Sequence, residues 1–168
     1  QHHKFLLLDS MGLGKTSEMI WLAEVLHDRG VIDHCFIICG VNAVKPNWKA
    51  EIQKFSNLDC RVLGEHIART GKITYGLIAD RVKELSEPIK EFFVVTNIET
   101  IRSDDIVKAF TKSKSNKFQM ICIDEVHKCN NKQSQQGHNV LKLKADYQVA
   151  ATGTLITNNP INCYMPLN

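Results

Sequence analysis

The sequence predicts an α/β fold, a three-layer α/β/α sandwich whose mainly parallel sheet lies between two layers of helices. Apolar runs of strand length alternate along the chain with stretches whose apolar residues recur at helical spacing. Continuous apolar runs are typical of strands that are covered on both faces, as parallel strands are. With 168 residues, 43% of them hydrophobic, the chain suits one globular domain over 1–168.

The first two units each consist of a strand followed by a helix. Phe5–Leu8 is a continuous apolar run, which we expect to be a strand covered on both faces. A helix over about 15–29 follows, and Gly30 is a typical C-terminal cap for it. A second strand at 34–39 precedes a helix that Asn47 is expected to cap.

The remainder of the chain continues the alternation. Further strands are predicted at 61–63, 92–96, 120–123 and 148–151, and further helices at 75–85, directly after Ser103 and at 134–143. Right-handed crossovers between such units give a parallel sheet, and ligands of that architecture bind at the carboxyl ends of its strands. The loops that follow the strands are therefore the places to look for chemistry.

Composition excludes some classes of protein and leaves others open. The six cysteines form no C-x-x-C pair and no paired His/Cys spacing, so we expect neither a zinc site nor a disulfide framework, and a reducing, cytoplasmic location fits best. No apolar run is long enough to cross a membrane. The net charge of +3 tolerates a nucleic-acid partner but does not by itself argue for one.

The first informative loop is DSMGLGKT, residues 9–16, between the first strand and its helix. Its glycines allow backbone N–H groups to surround a phosphate, Lys15 can reach the outer phosphates, and the Thr16 hydroxyl can bind Mg²⁺. The strict pattern G-x-x-x-x-G-K-[ST] fails at its first position, Asp9, so an ordinary tight turn with a solvated lysine is the alternative. The residues expected to contact the nucleotide are Met11, Gly12, Leu13, Gly14, Lys15, Thr16 and Ser17.

The second loop, MICIDEVHKC, brings two adjacent acids to the end of an apolar strand. Asp124 can hold Mg²⁺, usually through water, and Glu125 can orient or deprotonate an attacking water. His127 can carry a hydrogen bond from this site to a neighbouring strand. The alternative is that Asp124 caps a turn and Glu125 faces solvent.

The third loop, VAATGTLITNN, again follows a strand and places hydroxyl residues around a glycine. Thr152 and Thr154 are suited to hydrogen-bond His127 and the region of the γ-phosphate. Without the other two loops, a simple turn at the end of a strand would be the preferred interpretation.

Taken together, DSMGLGKT, DEVH and ATGTLITNN resemble the N-terminal, RecA-like motor lobe of superfamily 2 helicases, specifically the Swi/Snf-type, DEAD/DEAH-box-like translocases of double-stranded DNA. That family's phosphate loop typically reads D-E-M-G-L-G-K-T, from which only Ser10 departs. Its D-E-x-H segment is matched at 124–127, and its T-G-T-P-x-x-N segment at 152–158 except for Leu155. The resemblance covers nearly the whole chain and implies a P-loop NTPase sheet; small bacterial or phage members look most similar.

The resemblance implies ATP and Mg²⁺ as cofactors and a role for four groups of residues. Catalysis is expected from Lys15, Asp124 and Glu125, with Thr16 and Asp124 at the metal. Coupling between the nucleotide and the rest of the motor is expected from His127, Thr152, Gly153 and Thr154. Contacts to the DNA backbone are expected from Lys45, Asn47, Trp48, Thr96 and Asn97, although Trp48 also suits a core position and Lys45 and Lys49 a solvated helix entrance.

Motors of this family have a second lobe whose arginines complete the ATP site, and we expect this chain to lack it. The isolated chain is therefore expected to bind Mg-ATP weakly and hydrolyse it poorly, whereas the full-length protein is a DNA-dependent ATPase. Gln1 lies too close to the phosphate loop to be assigned as the adenine-binding glutamine. The alternatives are a degenerate module that binds nucleotide or DNA without catalysis, and another P-loop NTPase such as a kinase or GTPase.

Overall fold

A computed structural model of the chain describes residues 3–9, 12–41, 44–113, 115–129 and 134–153. Eight strands occur in it: β1 His3–Leu7, β2 Cys35–Cys39, β3 Cys60–Val62, β4 Glu65–Ile67, β5 Ile73–Tyr75, β6 Phe93–Asn97, β7 Met120–Ile123 and β8 Tyr147–Ala151. Six of these form a parallel sheet in the order β1-β8-β7-β2-β6-β3, and β4 and β5 form a separate antiparallel hairpin.

Helices cover both faces of the sheet. They are α1 Lys15–Asp28, α2 Lys45–Phe55, α3 Ile78–Ser86, α4 Ile98–Ile101, α5 Asp104–Lys112 and α6 Gln135–Lys142, with a 3-10 turn at Val126–Cys129. Alternate residues of a strand point to opposite faces, so Ile37 of β2 packs with α1 and α2, while Phe36 and Ile38 pack with the other helices. The predicted fold class, an α/β sandwich around a mainly parallel sheet, is confirmed.

The predicted C-terminal cap of α1 is present, and the serine at the predicted start of the 134–143 helix is a capping residue, which was not predicted. Gly30 adopts a φ of +66° directly after α1, a conformation that glycine reaches without steric cost. At the start of α6, the Ser134 hydroxyl accepts a hydrogen bond from the Gly137 N–H at 3.1 Å.

The prediction that the first strand is covered on both faces is wrong. β1 pairs with β8 on one side, and no described strand lies on its other side. Phe5 is 47% exposed and Leu8, just after the strand, is 52% exposed. An apolar run therefore does not by itself distinguish a central strand from an edge strand.

The prediction that Asn47 caps the second helix is also wrong. α2 begins at Lys45, and Pro46 occupies its first turn. Proline is favoured there because its φ is already helical and its missing N–H has no intrahelical partner at that position. Asn47 consequently lies inside the first turn with its side chain exposed.

The β4–β5 hairpin was not predicted. The sequence predicted a helix from Tyr75, but Tyr75 ends β5 and α3 begins at Ile78. The hairpin turn is closed by the Ala68 N–H, which donates to the Lys72 carbonyl at 2.9 Å, and the strands are only three residues long. Such short strands carry too little alternation to be recognised as strands.

Among the described residues, no helix is both long and apolar enough to cross a membrane. The cytoplasmic location stays a prediction.

Candidate nucleotide site

The loop between β1 and α1 has the backbone geometry of a phosphate-binding turn. Gly12 and Gly14 have φ values of +83° and +93°, in the left-handed region that other residues avoid. Gly14 is the residue that precedes the first helical turn, so the free N–H groups and the positive end of the α1 dipole lie beside these glycines. Met11, another expected contact of the nucleotide, lies outside the described residues.

Lys15 is buried at the start of α1 and its side chain folds back over the loop. Its Nζ donates a hydrogen bond to the Asp9 carbonyl at 2.7 Å. The Ser17 hydroxyl donates to the Gly14 carbonyl at 2.7 Å, which ties the first helical turn to the loop. A solvated lysine, the alternative considered from sequence, does not describe this side chain.

Asp124 lies at the carboxyl end of β7, facing the phosphate loop. Its N–H donates to the Ile38 carbonyl at 2.9 Å, so the backbone still follows β2 at this point. The Trp48 indole N–H donates to its carboxylate Oδ2 at 3.2 Å. Burial raises the pKa of Asp124; the Trp48 hydrogen bond and the charge of Lys15 oppose that shift, and the charge of Glu125 adds to it.

Glu125 has a strained backbone, with a φ of +57° that non-glycine residues rarely adopt. Strained residues of this kind are concentrated at functional sites, where the surrounding structure holds them. Its carboxylate Oε2 lies 3.2 Å from His127 Nε2, and His127 Nδ1 lies 3.0 Å from the Thr152 hydroxyl. His127 therefore bridges the end of β7 and the residue that follows β8.

These side chains meet at one open cleft. Its lining residues are Gly12, Gly14, Lys15, Thr16, Ser17, Glu51, Phe55, Asp124 and Glu125. The cleft combines a positive helix end and a lysine, which suit phosphates, with a hydroxyl and carboxylates, which are the oxygen donors that Mg²⁺ prefers. No group of three or more His, Cys, Asp or Glu side chains suited to a metal occurs within the described part of the chain. A Mg²⁺ ion here would therefore take several of its ligands from phosphates and water, as P-loop sites do.

Most of the residues that were expected at DNA are buried. Lys45 and Thr96 are 0% exposed, Asn97 is 1% exposed and Trp48 is 2% exposed. The Lys45 Nζ lies 3.9 Å from the centroid of the Tyr75 ring. Of the expected set, Asn47 alone has its side chain at the surface.

The other two expected coupling residues, Gly153 and Thr154, directly follow Thr152 in the chain. Gly153 is exposed immediately after Thr152, and Thr154 lies outside the described residues. The contact between His127 and Thr152 is present, and a coupling role for it stays a prediction.

A family model described as the SNF2-related domain matches residues 1–168. The chain belongs to this family. Its phosphate loop, the adjacent acids after β7 and the contacts of His127 thus occur in a SNF2-related domain, and the family agrees with the sequence resemblance. The bacterial or phage origin suggested by that resemblance stays a prediction.

Several proteins resemble this SNF2-related domain over nearly its whole length. The chain is 27% identical to chromatin remodeling factor mit1 of Schizosaccharomyces pombe, with 94% of this chain and 11% of that protein covered. It is 25% identical to the ATP-dependent helicase fft3 of the same organism, with 92% and 16% covered. The chain thus spans only a small part of the length of these relatives.

Solved structures with the same fold are similar to it as well. The SWI2/SNF2 ATPase core of Sulfolobus solfataricus in complex with dsDNA matches with a TM-score of 0.73 and 25% identity, over 98% of this chain and 30% of that one. The same core domain described without DNA matches with a TM-score of 0.64 and 26% identity, over 92% of this chain and 28% of that one.

Sequence analysis missed three features of this SNF2-related domain. Glu51 and Phe55 line the cleft from α2, one turn and two turns beyond Trp48. The contact between Trp48 and Asp124 was not predicted either. In the sequence, Trp48 shows only the helical spacing that indicates a core position. That spacing does not indicate that its indole also donates a hydrogen bond to the distant Asp124 carboxylate.

Proposed function

We propose that residues 1–168 are the nucleotide-binding lobe of an ATP-driven translocase that moves along duplex DNA, with the second lobe elsewhere in the same polypeptide. The observation that carries the proposal is the single cleft that brings together Lys15, Asp124 and Glu125. Membership of the SNF2-related family supports ATP as the nucleotide. The similarity to an ATPase core solved with dsDNA supports duplex DNA as the partner.

Each cleft residue has a distinct role in this proposal. Lys15 leaves the Asp9 carbonyl and binds the outer phosphates, while the backbone at Gly12 and Gly14 surrounds them. Thr16 and Asp124 hold Mg²⁺, which would neutralise charge on the phosphates. Glu125 orients the attacking water and accepts its proton. His127 contacts both the Glu125 carboxylate and the Thr152 hydroxyl, so it couples a change at this carboxylate to Thr152.

DNA would contact this lobe through phosphates rather than base edges. Asn47 is available for such a contact in the present arrangement. Lys45, Thr96 and Asn97 would reach a phosphate only if the residues that cover them moved, because all three are buried.

The first test is a calorimetric titration of Mg-ATP into this chain beside its Lys15→Ala variant. Lys83→Ala is the matched control, since Lys83 is 77% exposed and lies on α3, away from the cleft. We expect the wild type and the control to bind equally and Lys15→Ala to lose binding. Equal binding by all three proteins would contradict the assignment of the phosphate loop.

The second test measures phosphate release by the full-length protein with and without duplex DNA. A translocase shows release that rises with DNA and disappears in Lys15→Ala. A degenerate module that only binds nucleotide or DNA shows no release that depends on DNA, and that outcome would replace the proposal.

A further inference from the structure

Trp48 is a buried residue of α2 whose indole contacts Asp124 at the nucleotide cleft. Its indole is 2% exposed and packs in the core between α2 and the sheet. Its N–H donates to the Asp124 carboxylate at 3.2 Å, across 76 residues of sequence. A buried indole N–H needs an acceptor, and here the acceptor is a carboxylate that lines the cleft rather than a backbone carbonyl of the core.

The indole N–H is a donor without an acceptor function, so this contact can only orient the carboxylate and stabilise its charged form. It engages Oδ2 and leaves Oδ1 without a contact to Trp48. Hydrogen bonds from neighbouring side chains fix the orientation of carboxylates that bind metals, and loss of such a bond weakens metal binding. Trp48 is placed to do this for Asp124.

The helix that carries Trp48 reaches both the nucleotide cleft and the exposed edge. Asn47 is exposed in its first turn, while Glu51 and Phe55 line the cleft farther along the helix. Phe55 also contacts Trp21 of α1 edge to face, with ring centroids 5.6 Å apart. A displacement of α2 by a ligand at Asn47 would therefore move the indole that holds Asp124.

We infer that Trp48 is a positioning residue that orients Asp124 for Mg²⁺ and transmits the position of α2 to the metal site. This inference rests on the proposed function, because it takes Asp124 as the metal ligand and the first turn of α2 as part of the DNA-facing edge. DNA that contacts α2 then changes the orientation of the Asp124 carboxylate through the hydrogen bond from Trp48.

The test compares Trp48→Phe with Trp21→Phe in the full-length protein. Both changes replace an indole by a phenyl ring, but Trp21 is 50% exposed on α1 and has no hydrogen bond to Asp124. ATP binding is measured by calorimetry at rising Mg²⁺ concentrations. We expect Trp48→Phe to raise the Mg²⁺ concentration needed for half-maximal binding about tenfold and to leave ATP binding without Mg²⁺ unchanged. The same Mg²⁺ dependence in both variants would overturn the inference.

A second replacement removes the N–H without changing the size of the ring system. Site-specific incorporation of 3-benzothienylalanine at position 48 puts a sulfur where Trp48 has its N–H. This protein retains the packing of the core, so it serves if Trp48→Phe fails to fold. It is expected to show the same tenfold change, and a Mg²⁺ dependence equal to that of the tryptophan protein would overturn the inference.

The link to DNA is measured as the ratio of phosphate release with and without duplex DNA at saturating Mg²⁺. We expect Trp48→Phe to lower this ratio several-fold while DNA affinity, followed by fluorescence anisotropy, stays within about twofold of wild type. An unchanged ratio would overturn the coupling. Failure of the proposed function is recognised separately, because the wild type would then show no stimulation by DNA or Lys15→Ala would still bind ATP.

Discussion

The carboxyl ends of the parallel strands form one edge of the sheet, and the environment of polar side chains differs between the two ends of this edge. At the nucleotide end, which comprises the loops after β1, β7 and β8, Lys15, Asp124 and His127 each have a hydrogen-bond partner beside an open cleft. The hairpin end comprises α3, the starts of α2 and α4, the ends of β3 and β6, and the β4–β5 hairpin, and several of its side chains hold polar atoms that are sealed from solvent. Within the described residues, the buried side-chain atoms that lack a hydrogen-bond partner all lie there: Lys45 Nζ, Glu65 Oε1, Tyr75 OH, Arg81 Nε and Thr96 Oγ1.

Because of this difference, we expect substitutions at the two ends to affect different properties of the protein. A buried polar group without a partner costs about 1–3 kcal/mol of stability, whereas a partly exposed group at a cleft costs little. Substitutions at the nucleotide end should therefore change chemistry more than folding. Substitutions at the hairpin end should change folding more than chemistry.

The largest expected effect is that of Glu125→Gln on phosphate release by the full-length protein with DNA. The amide has nearly the same shape but cannot accept the proton of the attacking water, so we expect kcat to fall by a factor of about 10² to 10⁴. Calorimetry should show Mg-ATP binding close to wild type. Urea unfolding of this chain should show a stability within about 0.5 kcal/mol of wild type, as expected for a surface-accessible change.

Glu51→Gln is the matched control for that experiment, since Glu51 lines the same cleft from α2. It should retain kcat within a few-fold. If both variants lose activity equally, the charge of the cleft matters rather than a base at Glu125. If neither variant loses activity, Glu125 is not the base.

The next effect is on stability, at Lys45 of the hairpin end. Its ammonium is fully buried over the Tyr75 ring, near Arg81, and at the N-terminal end of a helix, where a cation is unfavourable. Lys45→Met retains the length and the helix propensity of the side chain and removes the charge. We expect the free energy of unfolding at pH 7, measured in urea, to rise by about 2–3 kcal/mol.

Lys49→Met on the same helix should have the opposite sign. Lys49 forms an ion pair with Glu65, whose side chain is 9% exposed, so its loss leaves a buried carboxylate without its cation. We expect Lys49→Met to lower stability by about 1–3 kcal/mol. If both variants lose stability, the Lys45 ammonium is better stabilised than its surroundings indicate.

The advantage of Lys45→Met should depend on pH in a defined direction. Burial lowers the pKa of Lys45 from 10.5 to about 8, so the folded wild type releases this proton at a lower pH than the unfolded chain. Below pH 8 both states hold the proton and the full cost of the buried charge is present. As the pH rises from 8 to 10.5, the unfolded state binds more protons than the folded state, and the wild type gains stability relative to the variant. The difference between the two proteins should therefore shrink over that range.

The sequence predicted which residues meet at the nucleotide end, because the proposed site is made of short local segments. A phosphate loop requires glycines, a lysine and a hydroxyl in one short stretch between a strand and a helix, and the acids follow directly from β7. Parallel strands then bring these separate loops to the same edge of the sheet. Residue type, spacing and topology were together sufficient to predict that these residues lie close together.

The burial of polar side chains at the hairpin end could not be predicted in the same way, because it depends on which segment of the chain covers them. Lys45 is a polar residue in the segment that follows β2, and Thr96 is a polar residue near the end of β6, a pattern that favours exposure. Both are buried nevertheless, and Tyr75, at the end of the β4–β5 hairpin, covers Lys45. Trp48 had a helical spacing that indicated a core position, and it does lie in the core. The direction of its N–H depends on Asp124, which is distant in sequence, so no local pattern contains it.

The smallest expected effect is a difference between two glycines of the hairpin end. Gly64 and Gly71 both have left-handed backbones, with φ values of +74° and +79°. An alanine Cβ at Gly71 would meet no atom within 4 Å, but at Gly64 it would lie 2.8 Å from the Arg81 Nε, and Arg81 is buried and hydrogen-bonded to Thr100. We expect Gly71→Ala to cost about 1 kcal/mol, from the backbone alone, and Gly64→Ala to cost roughly 1 kcal/mol more, because the displaced guanidinium loses a buried partner.

Urea unfolding of the two variants of this chain measures that difference directly. Equal losses would mean that Arg81 moves aside without cost, and the hairpin end would then be less tightly packed than the burial of Arg81 indicates. A larger loss for Gly64→Ala, with Mg-ATP binding unchanged in both variants, would place the cost in the packing around Arg81 and leave the cleft intact. That result would separate the two ends of the edge energetically, since a defect that destabilises the hairpin end would not reach the phosphate loop.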